Sequence, residues 1–87
     1  MTVAVFADTS ALANWYLNEE QSDRFAAFMV RAGGAAISRL AVAEMGALLN
    51  RRLRAKDFPP RIHRDIVRAF EQDIRLGFLE VHPLEDR

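Results

Sequence analysis

Val3-Ala4-Val5-Phe6-Ala7-Asp8-Thr9-Ser10-Ala11-Leu12 is the stretch that decides the fold. Its opening apolar run shows no polar alternation, which is the pattern of a strand buried on both faces, as in a parallel sheet. Asp8 ends the run, and Thr9 and Ser10 supply helix-start residues before Ala11-Leu12-Ala13-Asn14-Trp15-Tyr16-Leu17. A buried strand that hands over directly to a helix opens an α/β order.

Working outward, Asn18-Glu19-Glu20 breaks the first helix and starts a second that runs to about Arg31. Phe25, Phe28 and Met29 fall on one face of it, and Gly33-Gly34 stops it. Ala35-Ala36-Ile37 is a brief second strand. Ser38 suits the N-cap of a long helix from Arg39 to about Lys56, and Asp57-Phe58-Pro59-Pro60 makes a turn. Pro60 suits the first position of a fourth helix, roughly Arg61 to Leu76, with Ile62, Ile66, Phe70 and Ile74 at four-residue spacing and Gly77 at its close. Phe78-Leu79-Glu80-Val81-His82 is a third strand stopped by Pro83. This order predicts an α/β fold with a parallel sheet of three strands, about four helices and right-handed crossovers.

At 87 residues, residues 1–87 form one domain with one core, and 51% hydrophobic content supports a packed interior rather than disorder. A chain this short buries surface only marginally. The absence of cysteine excludes disulfides, cysteine-ligated zinc and a thiol nucleophile. Met1 to Leu17 carries no basic leader and is interrupted by Asp8 and Asn14, so it reads as neither signal peptide nor membrane span, and a cytoplasmic location is expected. The net charge is zero, yet Arg51 to Arg75 holds eight Lys/Arg against four Asp/Glu.

Two carboxylates carry the chemistry. Asp8 stands where a strand tip meets a helix, and ligand crevices in open α/β sheets lie outside the carboxyl ends of the strands. Metal ligation and simple helix capping both fit that address. Glu44 sits in a stretch from Leu40 to Leu49 whose other residues are all Ala, Val, Met, Gly or Leu, which predicts a helix buried around its whole circumference. A carboxylate there needs a partner. An ion pair with Arg39 or Arg51 would serve, as would a divalent cation shared with Asp8. Oxygen donors without His or Cys suit Mg²⁺ or Mn²⁺, with Thr9 and Ser10 able to touch the ion's water shell, although capping is the natural task for at least one of them. Such a site activates water for phosphodiester hydrolysis.

Val5-Phe6-Ala7-Asp8-Thr9-Ser10-Ala11-Leu12, with Tyr16-Leu17-Asn18-Glu19-Glu20, resembles the opening of PIN domains in VapC-like toxins. Ile37-Ser38-Arg39-Leu40-Ala41-Val42-Ala43-Glu44, continuing to Arg52, is similar to that family's second motif, and Phe78 to Leu84 to the strand that follows. The resemblance implies an α/β/α PIN-like sandwich and a Mg²⁺- or Mn²⁺-dependent endoribonuclease, with Asp8 and Glu44 in the first two acidic positions, Thr9 and Ser10 beside them, and an antitoxin protein as partner. Family members carry two further acidic motifs, which these residues do not contain; Glu85 and Asp86 stand in the wrong context for them. The expectation is therefore an incomplete PIN fold, truncated at its C-terminal side, whose first strand has an edge to be covered by a homodimer or higher oligomer. A catalytically silent remnant acting through oligomerisation or antitoxin binding is the alternative.

Arg61, Arg64, Arg68 and Arg75 form a stripe that an RNA backbone or plain solvent could meet. Arg51, Arg52, Arg54 and Lys56 cluster at a helix end, where cations favour the helix dipole. His63 and His82 are isolated, and Trp15 and Tyr16 read as packing residues. A haloacid-dehalogenase phosphatase would place a second Asp where Ser10 stands, and no glycine fingerprint supports nucleotide binding.

Overall fold

The computed structural model describes residues 6–83, together with every side chain in that span except those of 19–22 and 29–30. Residues 3–5 of the expected first strand, the face position assigned to Met29, and Glu85 and Asp86 therefore lie outside the description. The elements run α1 (Thr9–Leu17), α2 (Glu19–Ala32), β1 (Ala35–Ser38), α3 (Arg39–Arg54), α4 (Pro60–Arg75) and β2 (Leu79–His82).

β1 and β2 pair in parallel, with Ala35 opposite Leu79 and Ser38 opposite His82. Phe6 makes a parallel bridge to Ala36, and Ala7 N–H donates to Ala36 C=O at 2.8 Å, so the end of the N-terminal apolar run lies along β1 on the side away from β2. Progression in one direction across the sheet, with right-handed crossovers, sends both helical pairs to the same face. The packing agrees, because α1, α3 and α4 touch one another while α3 and α4 lie on the strands. The core alternates accordingly. Ala7, Ala35, Ile37 and Leu79 from the sheet are buried with Leu12, Phe25, Ala41, Met45, Leu49 and Phe70 from the helices. On the opposite face Ala36 is buried, but Phe6 remains 65% exposed and Glu80 and His82 are exposed as well, so the described helices cover one face of the sheet.

Local chemistry explains the boundaries. Ser38 Oγ accepts from Ala41 N–H at 2.9 Å and starts α3, and Pro60 opens α4 at a position where a missing N–H costs nothing. Gly77 follows α4 at φ +88°, and Gly34 at φ +119° brings the chain so close to β2 that an added Cβ would stand 2.9 Å from the Phe78 carbonyl oxygen. The Trp15 ring stacks on Phe25 at 4.2 Å between centroids, and Tyr16 meets Phe25 and Phe70 edge-on, so both aromatics of α1 pack as expected. The Tyr16 hydroxyl also donates to Asp73 of α4. None of the described helices is long and apolar enough to cross a membrane.

One expectation about α3 fails. The helix buries only Ala41, Met45 and Leu49, which are four residues apart, and Glu44 is exposed. Ala43, Gly46 and Ala47 are exposed too. Small side chains made the stretch look buried all round, but they face water at little cost.

Candidate metal site

α1 and α3 both begin at the carboxyl edge of the parallel strands, and the first turn of α1 meets the second turn of α3. Asp8 has an extended backbone and is the N-cap of α1, its Oδ1 accepting from Ala11 N–H at 2.9 Å. Capping therefore falls to Asp8 and not to Thr9 or Ser10, which are already inside the helix. That frees the Thr9 hydroxyl, and it donates to Glu44 Oε1 at 2.6 Å. The residue next to Asp8 thus holds the carboxylate of Glu44 across 35 positions of sequence. Neither Arg39 nor Arg51 forms an ion pair with Glu44 among the described residues.

Each carboxylate keeps one oxygen uncommitted: Asp8 Oδ2 and Glu44 Oε2 have no hydrogen-bond partner among the described residues. Two carboxylates and a hydroxyl, all hard oxygen donors at a solvent-facing edge, suit a cation that retains much of its water, as Mg²⁺ and Mn²⁺ do. No group of three or more His, Cys, Asp or Glu residues placed to hold a metal occurs among the described residues. The donor set fits a hydrated hard cation and does not fit zinc. Ser10 is exposed, and its hydroxyl makes no hydrogen bond among the described residues.

Arg61, Arg64 and Arg68 are exposed on α4, and none of them forms an ion pair with Asp8 or Glu44 among the described residues. Arg64 and Arg68 line a groove of about 410 Å³ with Leu53, Pro60, His63, Val67 and Glu71, and none of Asp8, Thr9, Ser10 or Glu44 borders it. His63 meets Asn50 Oδ1 at 3.1 Å, and His82 lies 3.4 Å from Glu80, so both histidines have ordinary local partners. Sequence reasoning assigned Thr9 to a water shell and missed its direct contact with Glu44. A hydroxyl beside one candidate acid was the available signal, but it named no distant partner.

The fold and this edge together define a parallel α/β protein that presents two exposed carboxylates, Asp8 and Glu44, linked through Thr9 at the start of α1. The PIN domain family model matches residues 5–87, and the chain belongs to that family. PIN domains are typically nucleases and generally use divalent metal ions. Searches among curated proteins and among solved structures returned no match.

Proposed function

We propose that the chain is a VapC-like member of its family, a Mg²⁺- or Mn²⁺-dependent endoribonuclease toxin in which Asp8 and Glu44 are metal ligands. The observation that carries this reading is the Thr9 to Glu44 hydrogen bond, which ties the Glu44 carboxylate to the residue next to Asp8. An ion bound there supplies a Lewis acid that activates water and offsets charge developing on a phosphodiester. The chain's own part is positional. Asp8 is fixed by the Ala11 N–H, Glu44 is fixed by Thr9, and each keeps one oxygen that would be available to an ion. Exposure of both acids leaves room for the substrate phosphate, and capping of α1 by Asp8 gives the negative charge a favourable place at a helix N-terminus.

The partners that go with this reading are RNA as substrate, an antitoxin protein that blocks the acidic edge, and a second copy of the chain, with the cytoplasm as the place of action. The bare sheet face bearing Phe6 supports the expectation of a homodimer, since exposed apolar surface beside a strand edge is normally covered.

The test is cleavage of RNA by purified chain with Mg²⁺ or Mn²⁺. The expected result is cleavage that EDTA stops and that Asp8→Asn and Glu44→Gln each abolish. Unaltered cleavage in both variants would sink the reading. A second reading, a silent PIN domain acting through oligomerisation or antitoxin binding, is favoured by the lack of a third acid in the described cluster. Metal binding without any cleavage would select it.

A further inference from the structure

The flank of α3 that carries Glu44 continues past it. With 3.6 residues per turn, Leu48, Arg51 and Ala55 follow Glu44 along the same side of the helix, separate from the core side held by Ala41, Met45 and Leu49. Leu48, Arg51, Arg52, Ala55 and Asp57 line a shallow cavity of about 230 Å³ on this side. Seven residues at the α-helical rise put Arg51 roughly 10 Å along the axis from Glu44. Arg52 is engaged with Asp57 at 3.8 Å, whereas Arg51 is exposed and has no ion-pair partner among the described residues. Among the described residues, the uncompensated cation of the cavity is therefore Arg51.

Helix-end electrostatics explains positive charge in this turn, but not its direction. Arg54 lies in the same last turn of α3 and serves the dipole equally, yet it borders neither cavity. What distinguishes Arg51 is its place on the carboxylate flank, with Leu48 between it and Glu44.

We propose that Arg51 is a phosphate-binding residue that seats the RNA strand along α3, on backbone flanking the phosphodiester engaged at Asp8 and Glu44. This rests on the nuclease reading above. A strand held at the carboxylates and extended along this flank reaches the cavity, where Arg51 offers a planar guanidinium to a phosphate and Leu48 and Ala55 give an apolar floor to a ribose or base. An acidic protein segment is less suited, since Glu44 and Asp57 stand at the two ends of the same track.

The experiment measures binding of a labelled single-stranded RNA oligonucleotide to the full chain in EDTA, as a function of salt. Without metal there is no cleavage, so binding is read separately from catalysis. Arg51→Gln is expected to weaken binding and to reduce the slope of log K against log salt by about 0.7, the loss of one phosphate contact. Arg54→Gln is expected to leave the slope unchanged. Equal slopes in Arg51→Gln and wild type, or equal losses in the two variants with matching falls in thermal midpoint, would overturn the proposal. So would absence of RNA binding by the wild type, or Arg51-dependent capture of polyglutamate in place of RNA. Cleavage that persists in Asp8→Asn and Glu44→Gln would instead remove the nuclease reading while leaving this slope as measured.

Discussion

Thr9 of α1 donates its hydroxyl to Glu44 of α3 at 2.6 Å, one residue after the Asp8 N-cap. The bond is charge-assisted and connects two helices that begin at the same sheet edge. Thr9→Val keeps the shape and removes the donor. It is expected to weaken Mn²⁺ binding severalfold in a calorimetric titration while lowering stability by no more than about 1.5 kcal/mol. Thr9→Ser restores the donor and with it the affinity. Wild-type affinity in Thr9→Val would show that the hydroxyl does not position the carboxylate.

Tyr16 is held by Asp73 across 57 positions, and burial, the hydrogen bond and the charge of Asp73 together push its phenol far above its ordinary value of 10.0. The neutral form is thus bound in the folded chain and the unfolded chain ionises first. The stabilisation is complete below pH 10.0 and is lost as pH rises beyond it, at about 1.4 kcal/mol per pH unit. Urea unfolding between mildly and strongly alkaline pH reads this slope, and Tyr16→Phe removes it. Because Tyr16 is the one tyrosine of the chain, phenolate absorbance follows its ionisation directly. Ionisation at an ordinary alkaline pH in the folded chain would contradict the contact.

The contrast between these two bonds and the element boundaries shows what was legible in the sequence. Ser38, Pro60 and Gly77 act through neighbours within a few residues, so the starts of α3 and α4 and the end of α4 could be read locally. The strands were legible as apolar runs, although Phe6 is the only residue of the expected opening run with a described sheet bridge. Thr9 to Glu44 and Tyr16 to Asp73 join residues that only the fold brings together, and no spacing rule reaches them. Glu44 was singled out because burial was expected of it, and that burial is absent. Its surroundings counted as apolar by letter, but Ala43, Gly46 and Ala47 are too small to demand burial, and the helix shows only a narrow inner stripe. Asp8 presented two local meanings, capping and ligation, and its two oxygens allow both.

Two glycines should respond oppositely to alanine. Gly34 has φ +119° and would place a Cβ 2.9 Å from the Phe78 carbonyl, so Gly34→Ala strains the backbone and pushes β1 from β2. A loss of about 2 kcal/mol is expected in chemical unfolding. Gly46 lies inside α3 with nothing within 4 Å of an added Cβ, and Gly46→Ala should stabilise by about 1 kcal/mol through helix propensity alone. Destabilisation by Gly46→Ala would mean that this face of α3 is covered in solution.

Asp8 combines a structural and a chemical task, and two substitutions separate them. Asparagine caps helices about as well as aspartate, so Asp8→Asn should unfold like the metal-free wild type. Asp8→Ala loses the bond to Ala11 N–H and should cost about 1 kcal/mol with or without metal. Added Mg²⁺ then discriminates. At a concentration tenfold above its Kd it should stabilise the wild type by about 1.4 kcal/mol, and chelation should reverse the gain. Neither variant should respond to the ion at that concentration. An undiminished Mg²⁺ shift in Asp8→Asn would mean that the carboxylate only caps α1, and that the cation, if one binds, is held elsewhere.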